Sequence, residues 1–131
     1  GATKFLECIC SNASDEETAE IVAKSVITSS LFKAAMFGED ANWGRVLCAI
    51  GYAKAEFDIQ KVDVKFSSKA GVLDVCKNGA GLAFSEETAK TVLSESDIQI
   101  LIDLNSGCAA ATAWGCDLSY DYVKINGDYR S

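Results

Sequence analysis

Five stretches of the chain carry the side-chain pattern of a β-strand. In two of them, 61–66 and 98–104, apolar and polar residues alternate one by one, which is the period of a half-buried strand. Residues 72–76 follow the first of these after a short Ser, Lys and Gly link, so the two strands are predicted to form a hairpin. The predicted strands are 3–10, 61–66, 72–76, 98–104 and 109–116.

The clearest helix is predicted at 15–30. Ser14 and Glu17 have the spacing of a capping box, in which the serine hydroxyl and the glutamate each satisfy a free backbone N–H at the start of a helix. Behind them, apolar residues recur three and four positions apart. This spacing places them on one face of the helix.

Two further helices and a short terminal one follow from similar signals. Asn42 is expected to cap a helix over 43–52. The apolar residues of this helix cover more than one face, which predicts that it is well buried. Ser85 opens a third helix with acidic residues in its first turn. The tail, 120–131, is predicted to hold a short helix.

Residues 31–37 are apolar except for Lys33 over a length typical of a strand, so a sixth, short strand ending at Gly38 is predicted there. Strands and helices then alternate along the chain, with a hairpin between two of the strands. This order predicts a single α+β domain, residues 1–131, in which helices pack mainly on one face of a mixed β-sheet. The strand order does not follow from the sequence.

Composition and charge exclude several classes of protein. The 131 residues are 49% hydrophobic and 24% charged, as is typical of one globular domain. The formal net charge is −7 and the 12 basic residues are scattered, so no nucleic-acid partner is expected. The apolar runs are too short to cross a membrane. The first residues lack the pattern of a signal peptide.

The chain has six cysteines and no histidine. A disulfide framework would fit a small secreted domain, but a chain of this length buries a core without one. A zinc site would have to use thiolates or carboxylates, and the spacing does not resemble such a site. We therefore predict no metal site, and six buried, reduced thiols that pack as small hydrophobes in a cytosolic protein.

The residues by themselves supply little chemistry. Without histidine, a Ser–His or Cys–His nucleophile pair is excluded within this chain. Two stretches are chemically richer than the rest. Residues 37–45 mix aromatic, acidic, amide and guanidinium groups between two predicted elements, and 111–131 mixes Trp and Tyr with Asp and Asn. On composition alone, the first also fits a structural loop and the second a tail that closes the core.

These two stretches resemble a known family. FGEDANWGR at 37–45 and ATAWGCDLSYDYVKINGDYRS at 111–131 closely resemble the C-terminal part of the β chain of the bifunctional ornithine acetyltransferase and N-acetylglutamate synthase family, the ArgJ family. The opening GATK at 1–4 resembles the family's EGATK segment without its Glu. The similarity runs along the whole chain and is most specific in the tail.

The resemblance implies an acetyltransferase of arginine biosynthesis. Family members are made as one chain that cleaves itself at an Ala–Thr bond. The new N-terminal Thr takes the acetyl group from N2-acetylornithine and passes it to glutamate, giving ornithine and N-acetylglutamate. Its amine serves as base for its own hydroxyl. Some members also use acetyl-CoA as donor.

The resemblance also implies the setting of the enzyme. No metal or tightly bound cofactor is expected, and the α and β chains form an α2β2 assembly. The expected location is the cytoplasm, or the mitochondrial matrix in a fungus.

The chain departs from the family pattern in the reacting groups. No site like the family's ATML cleavage motif is present, and Thr3 matches the Thr of EGATK, not the nucleophile. We therefore expect no catalytic residue in this chain and no activity from it alone. The resemblance implies two substrate-binding positions, Asn126 and Ser131, acting through the amide of the first and the hydroxyl or terminal carboxylate of the second.

Two hypotheses follow. In the first, the chain is the last domain of the β chain, folded against the α chain and the rest of the β chain. In the second, it is a standalone, non-catalytic binding or interaction domain that retains the fold. The reading frame upstream of Gly1 distinguishes them. The 37–45 loop is expected to support the site or a subunit contact.

Overall fold

The computed structural model describes residues 1–128, and within that range it leaves out the side chains of residues 122 and 126–128. This part of the chain forms six strands and five α-helices. In chain order they are β1 (Phe5–Ala13), α1 (Glu16–Ile27), α2 (Ser30–Phe37), α3 (Trp43–Gly51), β2 (Asp63–Ser68), β3 (Gly71–Lys77), β4 (Ala80–Gly81), α4 (Glu86–Leu93), β5 (Asp97–Asp103), β6 (Ala109–Cys116) and α5 (Tyr120–Asp128).

The strands form one mixed sheet in the order β4-β3-β2-β5-β1-β6. β1 and β5 run parallel, and each of the other neighbouring pairs is antiparallel. The predicted hairpin is present as β2 and β3, which pair from Ser68 and Gly71 inward. The predicted fold class, an α+β domain built on a mixed sheet, is therefore confirmed.

The core lies between the helices and one face of the sheet. Alternate residues of the central strands, among them Leu6, Phe66 and Ile100, point into this layer and are fully buried. The ring of Phe32 from α2 stacks on Phe66 of β2 with centroids 6.3 Å apart. Because side chains alternate along a strand, the residues between these point to the opposite side.

That opposite side is called the open face below. It carries large apolar side chains that no helix covers within residues 1–128. The residues that define it are Phe5, Glu7, Ile9, Val72, Leu101 and Trp114. Val72 and Trp114 are each 58% exposed.

The predicted strand at 31–37 is wrong, because these residues form helix α2. The hydroxyl of Ser29 accepts from the N–H of Phe32 and starts the helix. Phe32, Ala35 and Met36 are then buried at helical spacing. A short apolar run does not distinguish a strand from a buried helix, and the capping serine was the missed signal.

Two details of the helices also differ from the prediction. Asp15, not Ser14, caps α1, because its carboxylate accepts from the N–H of Thr18 at 2.7 Å while its own backbone is extended. Asn42 caps α3 as predicted, accepting from the N–H of Arg45 at 3.1 Å. However, α3 is buried on one face only, because Val46 and Ile50 are covered whereas Cys48 is exposed.

All six cysteines are free thiols, but the prediction that all are buried is wrong. Cys8, Cys10 and Cys76 are buried, Cys116 is intermediate, and Cys48 and Cys108 are exposed. The exposed pair lies on the outer side of α3 and in the loop before β6.

Within residues 1–128 no helix is long and apolar enough to cross a membrane.

The buried and exposed thiols should react at very different rates. Burial raises the pKa of Cys8 and raises that of Cys10 to about 12, and the thiolate is the reactive form. At pH 8 we expect Cys48 and Cys108 to react with a maleimide at least roughly a hundredfold faster than Cys8 and Cys10. Peptide mapping after timed quenching measures this. Labelling of Cys10 at the rate of Cys48 in the folded protein would contradict the burial.

Candidate functional site

A buried carboxylate joins the start of the chain to the segment after β6. Asp117 is fully buried. Its Oδ1 accepts from the backbone N–H groups of Thr3, at 2.8 Å, and Lys4, at 3.0 Å, and its Oδ2 accepts from the Thr3 hydroxyl. The N–H of Asp117 donates in turn to the carbonyl of Lys4 at 3.2 Å. Both carboxylate oxygens are thus hydrogen-bonded, as a buried charge requires.

A second buried polar residue extends this contact by two positions. Ser119 is 2% exposed, and its hydroxyl donates to the carbonyl of Gly1. Its own carbonyl accepts from the N–H of Val123, which is part of the first turn of α5. Residues 1–4 and 117–119, which we call the terminal junction, therefore lie side by side and set where α5 begins.

The side chain of Lys4 ties the junction to the 37–45 loop. Lys4 is 7% exposed, and its Nζ donates to the carbonyl of Glu95 at 3.0 Å and lies 3.9 Å from Oε1 of Glu39. The ring of Phe37 meets that of Tyr120 edge-on, with centroids 5.4 Å apart. The first three residues of the loop thus contact both the junction, through Glu39, and the start of α5, through Phe37.

The remaining side chains of the loop act on the fold itself. Trp43 packs on β4 so closely that a Cβ at Gly81 would lie 2.2 Å from its ring, which explains a glycine there. Nη1 of Arg45 donates to the carbonyl of Leu31 at 2.8 Å and links α3 to the start of α2. Half of the loop therefore supports the junction and half supports the helix layer.

The two predicted substrate-binding residues lie beyond the junction. Asn126 belongs to α5, six residues after the start of that helix, and its side chain is not among those that the structure describes. Ser131 lies outside the described residues. The structure therefore connects the helix of Asn126 to residues 1–4. That Asn126 and Ser131 contact a substrate stays a prediction.

A groove of about 500 Å³ crosses the open face at the other end of the sheet. Its floor includes Ile9 and Leu101, and its rim includes Asp63 and Asp103. Burial raises the pKa of Asp63, but the N–H of Asn78, the side chain of Asn105 and nearby lysines together hold it below its usual range. Among the described side chains, no group of three His, Cys, Asp or Glu residues is close enough to hold a metal ion.

Sequence reasoning did not find Asp117, Lys4 or Glu39 as members of a site. Thr3 and Asp117 are separated by 114 positions, so no local pattern relates them. The available signal was an acidic residue directly after an apolar strand, in a tail already recognised as unusual. Such a residue is far more often solvated than buried.

The fold and the junction define a class of protein: an α+β domain with a six-stranded mixed sheet, helices on one face, and a buried carboxylate that joins the segment before β1 to the segment after β6. Comparison with known proteins makes the assignment specific. The ArgJ family matches along residues 1–131, and the chain belongs to that family.

Individual relatives agree with this assignment. The "Arginine biosynthesis bifunctional protein ArgJ" of Caldanaerobacter subterraneus subsp. tengcongensis is 53% identical over 131 residues, which are all of this chain and 32% of the relative. The "Glutamate N-acetyltransferase" of Methanopyrus kandleri is 44% identical over 131 residues, again all of this chain and 34% of the relative.

A solved structure has the same fold. The crystal structure of the arginine biosynthesis bifunctional protein ArgJ from Bacillus halodurans superposes with a TM-score of 0.91 and 41% sequence identity, covering 98% of this chain and 59% of that one. The chain spans about a third of the length of the curated relatives it matches. It corresponds to a C-terminal part of an ArgJ protein, as the resemblance indicated.

Proposed function

We propose that residues 1–131 are the C-terminal domain of the β chain of an ornithine acetyltransferase. In this proposal the chain supplies substrate-binding groups to an active site whose nucleophile is upstream. The observation that carries the proposal is the match of the whole chain to the ArgJ family, whose relatives include a glutamate N-acetyltransferase. The terminal junction supports it, because it couples the GATK segment to the helix of Asn126.

The proposed reaction has two half-reactions. The hydroxyl of an upstream N-terminal Thr attacks the acetyl carbonyl of N2-acetylornithine, and ornithine leaves with its free amine. The amine of glutamate then attacks the acetyl-Thr ester, and N-acetylglutamate leaves while the hydroxyl is restored. Every atom of the acetyl group is thus carried by a residue outside this chain.

The role proposed for this chain is recognition. The side-chain amide of Asn126 offers a donor and an acceptor to the amino and carboxyl groups of the substrate, and Ser131 offers its hydroxyl or its terminal carboxylate. Because the junction fixes the first turn of α5, Asn126 is presented from a helix of defined origin. Defined placement of a polar group matters, since polar contacts depend steeply on distance and angle.

The same proposal covers the surroundings of the enzyme. The partners are the α chain and the rest of the β chain in an α2β2 assembly, and the location is the cytoplasm, or the mitochondrial matrix in a fungal source. No metal or bound cofactor takes part, and acetyl-CoA serves as a second donor if the enzyme is bifunctional. The names of two relatives, which include "bifunctional", support a second activity.

Asn126→Ala in the full-length protein should lower kcat/KM for acetyl transfer from N2-acetylornithine to glutamate roughly tenfold to a hundredfold. This is the loss expected when one hydrogen bond to a charged substrate group is removed. The assay follows N-acetylglutamate by mass spectrometry at several substrate concentrations. The matched control is Lys124→Ala, an exposed residue of the same helix, which should change kcat/KM less than about twofold.

The same assay tests the wider proposal. Residues 1–131 alone should give no transfer, and acetyl-Thr should be trapped only on a peptide outside this chain. Transfer by residues 1–131 alone would contradict the missing nucleophile. A full-length protein that folds but transfers no acetyl group would instead favour the standalone, non-catalytic domain.

A further inference from the structure

Helix α5 depends on the residues before it for its position on the domain. Each side chain of α5 that the structure describes is exposed, including Tyr120, Val123 and Ile125. Burial of these side chains therefore contributes little to holding the helix in this chain. The first turn is tied to the terminal junction instead, because the N–H of Val123 donates to the carbonyl of Ser119 at 3.1 Å.

Asp117 is the centre of that junction. Its buried carboxylate accepts from the N–H groups of Thr3 and Lys4 and from the Thr3 hydroxyl. Thr3 and Lys4 lead directly into β1, which is paired with β5 on one side and β6 on the other. Hydrogen bonds to a charged group are stronger than neutral ones. The carboxylate therefore fastens the segment that leads into α5 to a strand held on both sides.

Glu39 strengthens the same junction from the side of the 37–45 loop. Its φ of 55° lies in the left-handed region, where glycine is favoured. The carboxylate accounts for a glutamate there, since Oε1 lies 3.9 Å from Nζ of Lys4, whose side chain is only 6% exposed. A buried ammonium group needs such a partner. Two residues earlier, Phe37 contacts the ring of Tyr120, the first residue of α5.

We propose that Asp117 is a positioning residue for acetyl transfer: it fixes the start of α5 and thereby the place from which Asn126 meets the substrate. The inference rests on the proposed function, in which Asn126 binds substrate. Asn126 lies six residues after the start of α5, which is about 9 Å along the helix axis. A tilt of about 10° at the start would move it by roughly 1.5 Å, enough to break a hydrogen bond.

The kinetics of Asp117→Ala in the full-length protein test this role. The KM for N2-acetylornithine at saturating glutamate should rise roughly tenfold while kcat changes less than about threefold, because binding is lost equally from the substrate and the transition state. Asp117→Asn should restore KM to within about threefold of the wild type. Its amide oxygen can accept from the same two N–H groups, and the Thr3 hydroxyl can rotate to accept from the amide nitrogen. An equal rise in KM for Asp117→Asn would overturn the proposal, since charge and not position would then matter.

Combination with Asn126→Ala separates this inference from the proposed function. If Asp117 acts by placing Asn126, Asp117→Ala should change kcat/KM less than about twofold in a protein that already carries Asn126→Ala. Two outcomes overturn the inference and leave the proposed function intact. One is additive losses, and the other is a KM for Asp117→Ala within about twofold of the wild type while Asn126→Ala is impaired. Asn126→Ala without any effect overturns both.

A destabilised control measures the effect of lost stability by itself. Leu73→Ala removes a buried side chain from β3, which β2 and β5 separate from β1. It should lower the midpoint of thermal unfolding about as much as Asp117→Ala does and raise KM less than about twofold. The same rise in KM in both variants would overturn the proposal.

A milder variant decides the question if Asp117→Ala does not fold. Thr3→Val removes the hydroxyl bond to Asp117 at an exposed residue and leaves both backbone bonds in place. Its KM for N2-acetylornithine should rise roughly threefold. A KM equal to that of the wild type overturns the proposal.

Discussion

Replacing Phe66 by alanine is expected to lower the free energy of unfolding by about 3–5 kcal/mol. Phe66 is fully buried in β2 and stacks on Phe32 of α2, so its removal leaves a cavity between the sheet and the helix layer. The surrounding strands are hydrogen-bonded on both sides of β2 and cannot close over the gap. Urea unfolding of the wild-type and substituted chains, followed by circular dichroism, measures the difference.

Phe5→Ala is the matched control, since the same side chain is removed from a position that is 49% exposed on the open face. It should cost about 1 kcal/mol or less in residues 1–131 alone. If the two substitutions destabilise the chain equally, the assignment of the core to the helix-covered face is wrong.

Replacing Asp117 by alanine is expected to lower the free energy of unfolding by about 2–4 kcal/mol. The substitution removes no large apolar surface. Its cost arises because the N–H groups of Thr3 and Lys4 lose their acceptor in a place that water does not reach freely. The same unfolding measurement applies. Asp97→Ala removes an exposed carboxylate from the start of β5 and should change the stability by less than about 0.5 kcal/mol.

A double-mutant cycle separates the junction from a general effect of charge. Thr3→Val removes only the hydroxyl bond to Asp117. Thr3→Val should lower the free energy of unfolding measurably in the wild type and hardly at all when Asp117 is already alanine. The difference between these two effects is a coupling energy of about 1 kcal/mol. Fully additive costs would show that the two side chains do not interact as the structure places them.

The sheet could be predicted because the period of its strands was visible locally. β5 alternates buried isoleucines with half-exposed residues, so both its strand character and its buried face follow from seven consecutive residues. The order of the strands is not local in this sense. β1 lies between β5 and β6, and these two pairings depend on apolar surfaces that meet only in the folded chain.

Two of the wrong predictions, the strand at 31–37 and the cap of α1, also arise because local sequence does not decide between alternatives. α2 is eight residues long, and at that length the apolar period of a helix and the apolar run of a buried strand look alike. For α1, Ser14 and Asp15 are both good capping residues, and only the backbone conformation decides that the carboxylate of Asp15 reaches the N–H of Thr18.

The candidate site could be predicted only in part. Asn126 and Ser131 came from a resemblance of whole segments, and both stay predictions about substrate contact. The terminal junction was not predictable, because its hydrogen bonds join residues more than a hundred positions apart. A fully buried aspartate is an exception to the usual exposure of that residue type, and its partners are backbone N–H groups that any sequence provides.

The position of β1 in the sheet has a consequence for the order in which the fold forms during synthesis. β1 precedes the other five strands of this sheet along the chain, yet Glu7 and its neighbour Gln99 are 92 residues apart, and the other partner strand comes later still. Until β5 and β6 have left the ribosome, β1 has unpaired backbone groups on both sides, whereas β2 and β3 can already form their hairpin. Nascent chains stalled after β3 should therefore contain a protease-sensitive β1, which becomes protected only once β6 has emerged.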